Sequence, residues 1–230
     1  MHQTLRIEPE PSSLRLVLSL ALAGLFSGLI LVAVFLLTQP RIERNRAEAL
    51  NAAIFRVLPG TTAVTAYVVD NDVPRPYAGD GGLPPGGEAV YVGHGADGGL
   101  TGFAIPASGA GFQDTIRLIY GYDPRRQVII GMEVLDSRET PGLGDKIIFD
   151  ADFLANFEAL TVSPEIVAVK QGQKNQPNQV DCITGATISS EAVVQILNKS
   201  SRRWLPLLEQ INGIEHARSE EVIDEPRSGG

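Results

Sequence analysis

Two hydroxyls separated by two very small residues stand out in this chain: Thr184 and Thr187 flank Gly185-Ala186, in the stretch Asp181-Cys182-Ile183-Thr184-Gly185-Ala186-Thr187. Immediately afterwards Ser189-Ser190-Glu191 opens a run with helical spacing of apolar residues. A small-residue turn entering a helix leaves backbone N–H groups unpaired and points the positive end of the helix dipole outward, an arrangement that favours a phosphate. A plain helix start gives the same letters, with Ser189 or Ser190 as the N-cap and Gly185-Ala186 as a tight turn.

A second chemical element is Ser137-Arg138-Glu139-Thr140-Pro141-Gly142-Leu143-Gly144-Asp145-Lys146, which breaks an apolar strand pattern with one proline and two glycines. Such a turn is rigid at proline, and its glycines let the backbone approach a flat ligand closely.

Taken together, the two segments resemble the FMN-binding domain family. Asp181, Thr184, Gly185, Ala186 and Thr187 match every fixed position of its flavinylation motif, Asp-x-x-Ser/Thr-Gly-Ala-Thr. The resemblance implies a phosphoester between FMN and Thr187 Oγ1, made by a dedicated flavin transferase that reads the other motif residues. Glu-Thr-Pro-Gly-Leu-Gly, with Asp145-Lys146-Ile147 after it, is similar to the G subunits of Rnf electron-transport complexes. The C subunits of sodium-translocating NADH:quinone reductases are the related alternative. The resemblance implies an electron-relay subunit of an ion-translocating complex that moves electrons between ferredoxin and NAD, with the complex's other subunits and the membrane as partners. A tethered FMN supplies one- or two-electron transfer. The contrasting reading, from another class, is a membrane-anchored scaffold or binding module whose motif is never modified.

Candidate contacts to the cofactor are Thr140, Gly142, Leu143 and Gly144 in the Pro-Gly turn, Ser189 and Ser190 at the helix start, and Lys170. The lysine ends a strand pattern ahead of the motif, where its ammonium would offset negative charge on phosphate or ring; an ordinary exposed lysine is the other reading.

Composition excludes several classes. The formal net charge of -8 argues against a nucleic-acid partner. A single cysteine cannot form an intrachain disulfide or supply an iron–sulfur or zinc site, and Cys182 occupies a variable motif position. His2, His94 and His216 are too scattered for a metal centre, and no nucleophile–base pair for hydrolysis is evident. Gly93-His94-Gly95-Ala96-Asp97-Gly98 matches the spacing of a dinucleotide-binding loop, yet a strand pattern comes next where that fold needs a helix, so it reads as a hairpin turn.

The elements that must position these residues are legible in outline. Residues 16–37 carry no charge and suffice to cross a membrane as a helix. Flanking charge is nearly balanced, Arg6 and Arg15 against Arg41, Arg44 and Arg46. The orientation with the domain on the periplasmic side of a bacterial cytoplasmic membrane therefore rests on the resemblance. Gly24 and Gly28 form a Gly-x-x-x-Gly pattern within the span.

The expected fold is α+β, a single N-terminal transmembrane helix followed by one extracytoplasmic domain with an antiparallel sheet and flanking helices. Its divisions are a short cytoplasmic tail 1–13, a transmembrane helix 14–38, a linking helix 39–60, the FMN-binding domain 61–212 and a disordered polar tail 213–230. Strands are expected at 63–69, 89–92, 100–105, 115–122, 128–134 and 166–170, and helices at 150–160 and 190–211, with Pro206 bending or ending the last. Residues 71–87, rich in Pro and Gly, are expected to lack regular structure.

Overall fold

A computed structural model describes residues 12–77 and 89–224, with side chains described through Glu215. The expected tail before Ser12, most of the Pro/Gly-rich segment and the last six residues lie outside the described residues. Contacts divide the chain into two units, one ending at Arg46 and one starting at Ala47.

The described part of the first unit is helical from Ser13. Helix α1 (Ser13–Val57) holds a stretch long and apolar enough to cross a membrane, and its leucines, such as Leu20, Leu25 and Leu37, are exposed along it. The sequence divides this region at Pro40 into a span and a linking helix; in the structure α1 is one helix with Pro40 inside it.

The second unit is built on a seven-stranded antiparallel sheet. Its strands are β1 (Ala63–Asp70), β2 (Val73–Pro76), β3 (Ala89–His94), β4 (Leu100–Ala110), β5 (Thr115–Asp123), β6 (Val128–Asp136) and β7 (Leu160–Thr161). They lie in the order β2-β1-β3-β4-β5-β6-β7. Period-two alternation divides the sheet's side chains between two cores. Val90, Val92, Phe103, Ile105, Leu118 and Tyr120 face one side; Ala89, Tyr91, Ala104 and Ile119 face the other.

The first side is covered by α3 (Thr187–Asp224), through Val193, Leu197, Trp204, Leu208 and Ile211. The second is covered by the last turn of α1, through Ala53, Ile54 and Val57, followed by Leu58. Glycine makes that second contact feasible: a Cβ at Gly121 would collide with the Val57 carbonyl, and one at Gly131 would lie 3.2 Å from Val57 Cα. The Arg56 guanidinium forks onto the Glu133 carboxylate at 2.5 and 2.6 Å and ties the same turn to β6.

Beyond β6 come a 3₁₀ turn (Gly144–Ile148) and α2 (Ala151–Ala155), whose N-cap Asp150 accepts from the Phe153 amide at 2.9 Å. Strands β8 (Val167–Val169) and β9 (Gln179–Asp181) pair in parallel as a separate ribbon. Asn198 of α3 bonds both the amide and the carbonyl of Ile166, anchoring the start of β8.

Four expectations need correction. The sequence reads residues 71–87 as lacking regular structure, yet Val73–Pro76 pairs with β1, because Asn71 and Asp72, at φ of 50° and 61°, make the left-handed two-residue turn that suits a hairpin. The helix expected over 150–160 is limited to Ala151–Ala155. The last helix begins at Thr187, three residues before the expected Ser190. It also runs through Pro206 and beyond Ile211 into the stretch read as a polar tail. Pro206 and Arg202, whose carbonyl it strands, both lie on the exposed side of the helix. Glu215 is buried and accepts from the buried Tyr67 hydroxyl, holding the extended helix to the sheet.

Burial pushes the Tyr91 and Tyr120 phenols up to about 12, from an ordinary 10.0. The unfolded chain releases these protons near its ordinary pKa and the folded chain only near 12. Their contribution is therefore complete below pH about 10 and lost as pH rises through about 12. Denaturant midpoints of the full chain in detergent should hold steady to pH about 10 and then fall steeply; a flat profile to pH about 11.5 would contradict the burial of these phenols.

Candidate functional site

The site lies where three turns meet: the β4–β5 hairpin tip, the Thr140–Gly144 turn after β6, and the entry into α3. The β9 strand brings the motif there. After Asp181, Cys182 and Ile183 are buried, Thr184 and Gly185 are exposed, and Ala186 is buried. Gly185 at φ 82° turns the chain, a conformation natural to glycine, and the Ala186 amide donates to the Ile183 carbonyl at 2.9 Å. Thr187 is then the first residue of α3 and is exposed, beside the first-turn amides that have no partner within the helix.

The other motif residues face inward or hold loops. Asp181 Oδ1 accepts from the amides of Gln173 (3.2 Å) and Lys174 (3.1 Å). Its own amide donates to Asn156 Oδ1 at 3.2 Å, an atom that also accepts from Lys174 Nζ at 3.1 Å. The loop folded in this way carries Gln171, whose Oε1 accepts the Thr184 hydroxyl at 2.6 Å. Ser190 is fully buried; its hydroxyl donates to the Ala186 carbonyl at 2.9 Å and accepts from the Ile183 amide at 3.1 Å. Ser189 is also buried and donates to Glu139 Oε2. Both serine hydroxyls are thus committed within the protein.

Glu139 joins the two motifs. It is 4 % exposed; Oε2 accepts from Ser189 and Oε1 from the Gln113 amide at 3.0 Å. Gln113 Oε1 in turn accepts the Thr140 hydroxyl at 3.0 Å. Gly142, at φ 75°, turns the exposed crest, and Leu143 is exposed while Gly144 is buried. Lys170 is exposed at the end of β8, at the start of the loop that Asp181 holds. Sequence reasoning missed Gln113 and the bridging role of Glu139. Position gave the one available signal, an acidic residue directly before a Thr-Pro-Gly turn.

Exposed apolar side chains occur on all three turns: Phe112 on the hairpin tip, Leu143 on the crest and Ile188 beside Thr187. An open hydroxyl and free amides at a helix start suit a phosphate, and apolar side chains above glycine-containing turns suit an aromatic ring, so these residues fit FMN. Burial, with the charges of Glu191 and Asp181 adding to it, pushes the Cys182 thiol up, away from the reactive thiolate. Among the described residues no group of His, Cys, Asp and Glu is arranged to hold a metal ion.

Residues 111–201, which include all three turns, match the family model for the FMN-binding domain, a match that supports FMN as the cofactor. The G subunit of an ion-translocating oxidoreductase complex from Methanosarcina acetivorans is 28 % identical over 81 % of this chain and 91 % of its own length. The G subunit of the Na(+)-translocating ferredoxin:NAD(+) oxidoreductase complex of Acetobacterium woodii is 31 % identical over 48 % of this chain and 52 % of its own. In fold, the chain resembles the C subunit of the Na(+)-translocating NADH-quinone reductase of Parabacteroides distasonis, with a TM-score of 0.57, 21 % identity, and coverage of 73 % of this chain and 96 % of that one. An FMN-binding domain preceded by a long apolar helix defines the class of protein. Within that class the chain is similar over most of its length to G subunits of ion-translocating oxidoreductase complexes.

The loop role of Asp181 has a measurable consequence. Hydrogen bonds to a charged group contribute roughly 1.5–3 kcal/mol each. Asp181→Ala should therefore speed amide exchange at Gln173 and Lys174 by at least about tenfold while leaving the sheet amides unchanged. Unchanged exchange at both amides would show that the loop is held by other bonds.

Proposed function

We propose that this chain is a membrane-anchored electron relay whose FMN is joined covalently to Thr187. The observation that carries the reading is the contrast between the motif's two threonines: the Thr184 hydroxyl is bound to Gln171, whereas Thr187 is exposed at the start of a long helix, across a buried hydrogen-bonded bridge from the Pro-Gly turn. In the attachment step, Thr187 Oγ1 displaces a nucleoside monophosphate from a flavin dinucleotide. The Oγ1–P bond forms, the pyrophosphate P–O bond breaks, and the threonine proton passes to a base of the flavin transferase. The first-turn amides of α3 hold the resulting phosphodiester charge. Thr140, Gly142 and Leu143 would hold the ring, Leu143 by apolar contact and Gly142 by allowing close backbone approach, with buried Gly144 beneath them against Glu139 and Ser189. Ser189 and Ser190 support the helix start from inside, and Lys170 stands at the rim to offset charge.

FMN supplies one- or two-electron transfer, and a tether gives permanent occupancy on a side of the membrane remote from the cytosolic flavin pool. With domain 61–212 on the periplasmic face and residues 14–38 of α1 in the membrane, the chain passes electrons between neighbouring subunits of an Rnf-type complex. Its relatives' names point to ferredoxin and NAD(+) as the terminal carriers and to coupling with ion transport.

Mass spectrometry on the full chain, purified from membranes of a host with the transferase and then denatured, is the direct test. Intact mass should rise by one FMN less one water, mapped to Thr187, and Thr187→Ala should abolish the increment without loss of fold. Flavin that survives denaturation in Thr187→Ala would place the attachment elsewhere, and an unmodified wild-type chain would favour a scaffold or binding module. For the turn, Leu143→Ala and Thr140→Ala should each shift the flavin midpoint potential in spectroelectrochemical titration; identical potentials in all three proteins would remove the turn from the site.

A further inference from the structure

We infer that Glu139 is a positioning residue for the modification of Thr187, acting through the Ser189 hydroxyl; the inference rests on the reading that Thr187 carries the phosphoester. Glu139 lies outside the flavinylation motif, 50 residues from Ser189 in the chain, yet its carboxylate sits beneath the helix start that presents the acceptor hydroxyl. Both flanking turns are packed onto it. A Cβ at Gly144 would lie 2.7 Å from Glu139 Oε2 and 2.7 Å from Ser189 Oγ, and one at Gly111 would collide with Glu139 Oε1. Only glycine at these two positions lets both turns close onto the carboxylate.

Helical geometry converts this clamp into an orientation. Residues two apart on an α-helix point about 200° apart. Fixing Ser189 inward against Glu139 therefore turns Thr187 outward and limits rotation of the first turn about the helix axis. The second oxygen of Glu139 fixes Gln113, and through Gln113 Oε1 the hydroxyl of Thr140. One carboxylate thus sets the acceptor hydroxyl and the Thr140–Gly144 turn in a single frame. Connectivity matters here and charge does not: a glutamine side chain can accept from the Gln113 amide through Oε1 and donate to Ser189 Oγ through Nε2.

The test is the initial rate of FMN transfer to unmodified full-length chain in detergent, using purified flavin transferase and flavin adenine dinucleotide, with chain concentration varied and modification read by mass. Glu139→Ala should lower kcat by roughly 10–100-fold, the scale of a misplacement of about 1 Å, with KM for the chain within about twofold. Ser189→Ala should reproduce the loss, the double variant should add nothing, and Glu139→Gln should recover most of the rate. If circular dichroism shows that Glu139→Ala unfolds, Ser189→Ala decides, since it removes one oxygen and leaves the carboxylate its other bond. Wild-type kcat in Ser189→Ala, or failure of Glu139→Gln to improve on Glu139→Ala, would overturn the inference while leaving Thr187 as the attachment site. A wild-type chain that takes up no FMN would overturn the attachment reading and this inference with it.

Discussion

A carboxylate buried to 4 % exposure, with a neutral hydroxyl and a backbone amide as its hydrogen-bond donors, is the constraint around which this domain is arranged. Removing a carboxylate from water is costly unless its lone pairs are filled and a favourable field surrounds it. Each Glu139 oxygen accepts one hydrogen bond, and the group sits beside the third residue of a 38-residue helix, where the helix dipole is positive. The requirement runs in both directions. The helix start must come to the carboxylate, and the hairpin tip must offer its Gln113 amide. The segment that bears Glu139 must leave β6 in a turn tight enough to need Gly142 at φ 75°.

That junction holds only if α3 is fixed along the rest of its length. The stripe from Val193 to Ile211 buries against one face of the sheet, and Tyr120 donates to Ser200 Oγ at 3.0 Å within that contact. At the far end the bond from Tyr67 to Glu215 secures the helix where the apolar stripe runs out. On the opposite face, the last turn of α1 approaches the strands so closely at Gly121 and Gly131 that backbone packs on backbone. Arg56 and Glu133 add a bidentate pair there that is too exposed to contribute much energy but defines the register of the contact. The domain's sheet is therefore held from both sides, and its loops at one end are free to carry chemistry.

The sheet was legible because its strands alternate cleanly, as in β3, where Val90 and Val92 face α3 while Ala89 and Tyr91 face α1. The motif at 181–187 was legible because small residues and hydroxyls at fixed spacing are informative without knowledge of the fold. The first strand turn was missed because Asn71 and Asp72 sit in a stretch whose Pro and Gly content suggested irregular chain, although a left-handed pair of this type favours a hairpin. The helix extension was missed because its support comes from Tyr67, 148 residues away in sequence, a long-range bond that no local polarity pattern records. The start of α3 at Thr187 was missed for a related reason. Ser189 and Ser190 resemble caps by type, but Ser189 is bonded to the distant Glu139 and Ser190 to the Ile183 amide and Ala186 carbonyl, so the helix starts ahead of both.

This displacement changes what the motif's letters mean physically. Asp181 holds the amides of a neighbouring loop, and Thr184 is tied to Gln171 on that loop. Gly185 turns the chain, and Ala186 is buried where the cap's small side chain lets Ser190 reach its carbonyl. Each of these residues acts by shaping backbone. On the proposed reading, a partner enzyme acting at Thr187 would meet a helix start presented by the folded domain, with an exposed threonine and the exposed side chain of Ile188 next to it. Identity at the fixed positions is then a requirement for folding this turn as much as a surface to be read. A motif with the same letters in an unfolded segment would lack Glu139 beneath it, and with it the frame that directs Thr187 outward.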